Sequence, residues 1–194
     1  VPDVRWRVHV CCWAAQHGLN LEGDFVECGV HSGLLSVAIC HYLDFQNVDK
    51  TFWLFDTFEG VPVGALPEHE RDSAGKFNKA RYFDCYELAK RNFQPFPNAK
   101  LIRGVLPGSL ADADVSRIAY LSVDLNNAST EESVIEQLWP RLVDCAIVEI
   151  DDYAFPRCRP QYEMWNDFAA SENVRVLTVP TGQGLLIKPP ACRI

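Results

Sequence analysis

Five acids stand where four apolar runs end. Glu27 follows Phe25-Val26, Asp56 follows Phe52-Trp53-Leu54-Phe55, Asp124 follows Ile118 to Val123, and Asp151-Asp152 follows Ala146 to Ile150. Ligands of an open α/β sheet bind outside the carboxyl ends of the strands, so acids placed this way converge on one crevice. A carboxylate can accept hydrogen bonds from two vicinal hydroxyls, which suits Asp56 to a ribose. Its spacing of about thirty positions after Glu27 exceeds the roughly twenty of the dinucleotide pattern. A cap on the loop that follows is the competing role for Asp56. Asp124, Asp151 and Asp152, on neighbouring strand ends, would repel one another and raise one another's pKa. A hard divalent cation such as Mg²⁺ relieves that repulsion through oxygen ligands, with Asn126 as a further, neutral oxygen ligand. A hydrogen-bonded or solvated acid cluster is the alternative.

Across the same crevice lies Gly23-Asp24-Phe25-Val26-Glu27-Cys28-Gly29-Val30-His31-Ser32-Gly33, with the apolar run Leu34 to Leu43 behind it. Strand, glycine turn and helix in this order make a nucleotide-binding unit, the glycines letting a ligand approach the backbone. Only two of the three glycines of the dinucleotide fingerprint are present, and a tight turn with no ligand fits equally well. His31 lies inside this turn. His9, His17, His41 and His69 are assigned surface or packing roles.

The elements that must position these groups follow from periodicity. Val4, Val8, Cys11, Cys12 and Ala15 recur at a helical period before a stop at Gly18, giving an N-terminal helix within residues 1–20. Strands are expected at Gly23 to Val30, Thr51 to Asp56, Lys100 to Arg103, Ile118 to Asp124 and Cys145 to Ile150, several of them apolar enough to be buried on both faces. Helices are expected at Ser32 to Tyr42, Cys85 to Phe93, after Asn127 with Ser129 or Thr130 as its cap, and at Pro160 to Ala170. Val174 to Val179 and Gly184 to Lys188 read as a terminal antiparallel hairpin. Residues 61–83 show no clear period and read as a lid or mobile insert. The expected fold is a single α/β domain over residues 1–194, a doubly wound, mainly parallel Rossmann-like sheet.

Composition narrows the function. A formal net charge of −8, without a run of Lys and Arg, speaks against nucleic acid as a partner. No apolar run has the length of a membrane span. The eight cysteines include no C-x-x-C pair, which speaks against zinc, and Cys28, Cys40 and Cys145 lie in apolar runs, as free thiols of a reducing compartment would. A cytoplasmic location is therefore expected. No signal peptide is visible, although the chain begins at Val1 and its one methionine is Met164, so the start says little about location. No Ser/His/Asp arrangement or G-x-S-x-G elbow supports acyl hydrolysis.

The ordered set Phe25-Val26-Glu27-Cys28-Gly29-Val30, Leu54-Phe55-Asp56-Thr57-Phe58-Glu59-Gly60, Trp139-Pro140-Arg141-Leu142 and Asp151-Asp152-Tyr153 resembles the macrocin O-methyltransferase (TylF-type) family from about Gly23 to Lys188. The resemblance implies the class I methyltransferase fold, S-adenosyl-L-methionine as methyl donor, and a divalent cation, usually Mg²⁺, near a sugar or similar hydroxyl. Carried over by position, it makes Glu27, Gly29 and Gly33 the cofactor loop and Asp56 the ribose acid; His31, inside the loop, and Thr57, next to Asp56, complete the expected cofactor-binding set. Asp124, Asp151 and Asp152 become the metal ligands, with Asp124 and Asp151 catalytic. Three departures stand out: Asn126 in place of a second acid, Val143-Asp144-Cys145-Ala146 in place of a glycine-rich turn, and the glycine-poor His31-Ser32-Gly33-Leu34. The expected partner is a small hydroxylated acceptor, with a homo-oligomer as a further option. The rival functions are a non-catalytic scaffold that keeps the crevice and a nicotinamide-dependent oxidoreductase.

Overall fold

The structure, a computed structural model, describes residues 4–191, so Cys192 lies outside it. Helix α1 (Val4–Gly18) leads to strand β1 (Asp24–Cys28), helix α2 (Leu34–Tyr42) and strand β2 (Phe52–Asp56). Helices α3 (Glu68–Arg81) and α4 (Tyr86–Phe93) precede β3 (Ala99–Arg103), and β4 (Ile118–Val123), α5 (Ala128–Leu138) and β5 (Leu142–Ile150) follow. The chain closes with α6 (Arg159–Ser171), β6 (Leu177–Thr178) and β7 (Gly184–Ile187).

The strands form one seven-stranded sheet in the order β3-β2-β1-β4-β5-β7-β6. Pairings are parallel from β3 through β5, and β7 runs antiparallel to both β5 and β6. This is the doubly wound sheet the apolar runs implied, with its antiparallel end. The strand order reverses between β1 and β4, and that switch point is where an open sheet leaves a crevice at its carboxyl edge.

Alternation along the strands divides the core between the two faces. Phe25 of β1 and Tyr120 of β4 pack with Cys11, Ala14, Ile39 and Phe93 of α1, α2 and α4. Val26, Cys28, Leu121 and Val123 pack on the other face with Val134, Leu138 and Trp165 of α5 and α6. Gly18 ends α1 where an added Cβ would lie 3.0 Å from the Phe25 ring and 3.1 Å from the Ala119 carbonyl, so the helix end presses directly on the sheet. Glu27, Ser122 and Glu149 are register partners on β1, β4 and β5. They set a polar row into an otherwise apolar layer.

Several local expectations are corrected. Residues 68–81, read from sequence as part of an aperiodic insert, form α3. The helix is held by Ala74 packing on Val61 and Leu66, with Val63 and Tyr82 beside them, and this small cluster is too sparse to give a periodic signal. The cap of α5 is Asn127, whose side-chain oxygen accepts the Thr130 amide at 2.9 Å. Ser129 is thereby free to bond Glu70 of α3 through both its hydroxyl and its amide. Cys145 is exposed in an αL kink of β5 with φ 67°, not part of the apolar interior.

Candidate active site

The donor side of the crevice is assembled by backbone. Gly29, at φ 94°, leaves β1 so close to the end of β4 that a Cβ would lie 1.9 Å from the Asp124 carbonyl oxygen. A Cβ on Gly33, at φ 90°, would lie 2.5 Å from the Phe93 ring. The glycines therefore admit the protein's own backbone and core, where the sequence reading had them admit a ligand. Asp56 clamps the turn: its Oδ2 accepts the amides of Val30 and His31, each at 2.6 Å, and its Oδ1 accepts the Phe58 amide at 2.7 Å. The loop-organising role weighed for Asp56 is present. Because a carboxylate offers about four lone-pair sites, one acceptor position is left, which the Thr57 hydroxyl approaches only at 3.4 Å.

Thr57 donates its hydroxyl to the Gly60 carbonyl at 2.6 Å and so shapes the next turn. His31, at φ 51°, packs its ring between Tyr82 and Phe83, with centroids 5.6 and 5.5 Å away. Glu27 is 3% exposed, its Oε2 is shut off from solvent, and the hydroxyl of buried Ser36 lies beside the carboxyl. Burial raises its pKa well above the usual 4.5, the Ser36 hydroxyl opposes the rise, and the charges of Glu149, Asp124 and Asp56 add to it. A carboxyl at a crevice wall whose protein partner is one hydroxyl has acceptor capacity left for a donor from outside. The ammonium and the ribose hydroxyls of S-adenosylmethionine are donors of that kind, so this side fits the cofactor.

The acceptor side is assembled by ion pairs. Asp151 is 1% exposed. Its Oδ1 accepts from Arg7 Nε at 3.0 Å and from Gln183 Nε2 at 3.2 Å, and its Oδ2 pairs with Arg7 Nη2, making a two-pronged contact. Asp152 Oδ1 lies 3.5 Å from Arg7 Nη2, and its Oδ2 accepts from Arg157 Nη2 at 3.0 Å. Asp124 Oδ1 accepts the Asn126 side-chain amide at 2.8 Å, and the same amide reaches the Tyr82 hydroxyl at 3.3 Å. Asn126 sits at φ 60°, a left-handed conformation that Asn tolerates better than most residues. Loss of solvent around the Asp124 carboxyl, followed by the charge of Asp152, pushes its pKa up to about 7.

One cavity of about 360 Å³ takes in both sides. Glu27, Gly29, His31, Asp56 and Thr57 line it together with Asp124, Asp151, Asp152, Asn126, Arg7 and Arg157. Gly33 stands behind the turn and not on the wall. Phe77 and Tyr82 from residues 61–83 line the cavity as well. The polar row continues beneath: Ser122 donates to Glu149 at 2.7 Å, and Gln183 Nε2 donates to the other Glu149 oxygen at 2.7 Å.

Arg7, Arg157 and Tyr82 in the crevice, and Gln183 buried beneath it, are residues that sequence reasoning missed. Arg7 lies 144 positions from its carboxylate, and an arginine on an amphipathic helix gives no sign of such a partner. Arg157 was within reach, five positions past Asp152 in the loop after a strand end.

The acid set does not fit a divalent cation as it stands. Mg²⁺ requires near-octahedral oxygens at about 2.0–2.1 Å, whereas both Asp151 oxygens face guanidinium, Asp152 is held from two sides, and Asp124 faces an amide NH₂. Among the described residues no group of three or more His, Cys, Asp or Glu side chains is arranged to hold a metal.

Sheet order and crevice together define the class I methyltransferase fold. The O-methyltransferase NovP has the same fold, with a TM-score of 0.80 at 23% identity over 94% of this chain and 79% of that one. The SAH-bound methyltransferase PaMTH1 of Podospora anserina shares it with a TM-score of 0.62 at 12% identity, over 92% and 77% of the two chains. Residues 8–178 match the family described as Macrocin-O-methyltransferase (TylF), and the chain belongs to that family. It is 26% identical over 159 residues to the mycinamicin III 3''-O-methyltransferase of Micromonospora griseorubida, covering 76% of this chain and 62% of that protein. It is 27% identical over 147 residues to the 8-demethyl-8-(2,3-dimethoxy-alpha-L-rhamnosyl)-tetracenomycin-C 4'-O-methyltransferase of Streptomyces olivaceus, covering 72% and 56%. The chain thus spans about three fifths of the length of these relatives.

Proposed function

We propose that this chain is an S-adenosylmethionine-dependent O-methyltransferase acting on a hydroxyl of a sugar or natural-product-like small molecule. The observation that carries the reading is a crevice whose lining brings Glu27, Asp56 and the glycine turn together with the acid Asp124. Family membership supports it, as do relatives whose names place methyl groups on oxygens of natural products, one of them bearing a rhamnosyl group.

Bound S-adenosylmethionine supplies an electrophilic methyl group on a sulfonium. The chain's own residues do the rest by positioning. Glu27 receives a donor from the cofactor, and Asp56 holds the turn carrying Val30 and His31 while offering its remaining lone pair to a ribose hydroxyl. Asp124 accepts the proton of the acceptor hydroxyl as oxygen bonds to the methyl carbon and the carbon–sulfur bond breaks. A pKa of about 7 suits a base at neutral pH. Asp151 acts through Arg7, which it holds against the crevice. No step is routed through the divalent cation that the resemblance implies. Tyr82 and Phe77 serve as a lid that keeps water out, with α3 latched by Glu70 to the positive N-terminal end of α5. The cytoplasmic assignment rests on seven described cysteines, all of them thiols, and no helix among the described residues is long and apolar enough to cross a membrane.

The test is release of adenosylhomocysteine over a panel of hydroxylated sugars and glycosylated natural products. Asp124→Asn is expected to lower kcat about 100-fold or more while calorimetric affinity for adenosylhomocysteine stays at the wild-type level. Undiminished turnover by this variant removes Asp124 as the base. Absence of any adenosylhomocysteine binding removes the methyl-donor assignment itself.

A further inference from the structure

The acceptor half of the crevice carries its own cations. Asp124, Asp151 and Asp152 bring three carboxylates to one wall, and Arg7 and Arg157 bring two guanidiniums to the same wall. Two guanidiniums carry the charge of one divalent ion, and guanidinium stays charged at any working pH. The contacts are of a built kind. Arg7 forks onto Asp151 and touches Asp152, the geometry in which arginine binds carboxylate best. Phe155 lies between the two arginines, with its ring centroid 5.9 Å from the Arg7 guanidinium carbon and 5.0 Å from that of Arg157. Gln183 bonds to Asp151 and Glu149 and lies 3.4 Å from the Arg7 carbonyl oxygen, fixing the helix that bears the arginine. The position where a further acid would complete an oxygen cage is Asn126, and its NH₂ points at Asp124.

We infer that Arg7 and Arg157 stand in for a divalent cation in this chain, so that the acceptor half is charge-compensated by the protein and takes up no Mg²⁺ or Mn²⁺. The location of this device in an acceptor half rests on the methyl-transfer reading, but the substitution of guanidinium for metal does not. A cation offered to the wild-type site meets two positive charges already paired with Asp151 and Asp152, and has to displace them to reach the carboxylates. Removing the arginines leaves three acids close together with nothing to offset them, which is the condition that favours a cation.

Mn²⁺ binding to the purified chain, read by electron paramagnetic resonance and calorimetry, tests the inference. Wild type is expected to show no site tighter than about 1 mM. Arg157→Gln, at a half-exposed guanidinium, is expected to bind Mn²⁺ at least about tenfold tighter than wild type. Arg7→Gln is expected to gain thermal stability, or to refold, on addition of Mn²⁺, whereas wild type gains none. Adding Asn126→Asp to Arg157→Gln is expected to tighten Mn²⁺ further. A wild-type site in the micromolar range that Asp152→Asn abolishes overturns the inference. So does a folded Arg157→Gln protein that binds Mn²⁺ no better than wild type. Adenosylhomocysteine binding on the same samples reports separately on the methyl-donor reading, since its loss leaves the Mn²⁺ comparison intact.

Discussion

The two walls of the crevice are built by different means. On the donor side the shape comes from main chain, with two positive-φ glycines, a strand end and the three amides gathered by Asp56. On the acceptor side it comes from side chains that arrive from opposite ends of the protein, Arg7 from the first helix and Gln183 from the last turn. A wall made of backbone tolerates little change in residue size and much change in charge. A wall made of ion pairs tolerates the reverse, because an unpaired buried charge costs more than a misfit methyl group.

That contrast can be broken from either side. The largest effect is expected for Gly29→Ala on the donor wall. The new Cβ would meet the Asp124 carbonyl at 1.9 Å in a backbone region closed to alanine, and urea denaturation should show a loss of about 4 kcal/mol or more. A stable Gly29→Ala protein would show that the walls are not in backbone contact. Next comes Asp151→Asn on the acceptor wall, expected to cost about 3 kcal/mol because it strands Arg7. The value sits at the low end of the buried-pair range because the Arg7 side chain keeps 20% of its exposure. An Asp151→Asn protein as stable as wild type would mean that the pair contributes no structure.

The smallest effect concerns the acids crowded behind the acceptor wall. Glu131, in the first turn of α5 on its buried side and hydrogen-bonded by Trp165 Nε1 at 2.8 Å, has its pKa pushed up to about 8, chiefly by burial, with Asp124 and Asp152 adding to it. The unfolded chain releases this proton near the usual 4.5. Between those values the folded state binds more protons, so stability present at low pH is lost as pH rises from 4.5 through 8. Glu131→Gln should flatten that decline and be more stable than wild type to urea above pH 8. Parallel stability curves for the two proteins across that range would sink the assignment.

The same contrast decides what could be read without coordinates. Buried parallel strands announce themselves as apolar runs, and an acid closing each run marks the carboxyl edge. The sheet and the donor wall follow from stretches of a few residues. The cap of α5 was misplaced by two or three positions because Asn127, Ser129 and Thr130 all have capping side chains, and only the demand of Glu70 for Ser129 separates them. Helix α3 was missed because its contacts lie with Val61 and Leu66 outside it, leaving no stripe of its own. For the acids, sequence supplied the cluster but not its counter-charge. Pairing across 144 positions is a property of the closed sheet, and a helix period says nothing about it.

The ion pair between Arg7 and Asp151 also orders events in time. On a ribosome, α1 and the glycine turn emerge before β5, and Gln183 follows Arg7 by 176 positions. Contacts so distant along the chain are slow to form, since loop closure must be met first. The donor wall can therefore take shape on a nascent chain, while Arg7 waits a further 144 positions before its charge is matched.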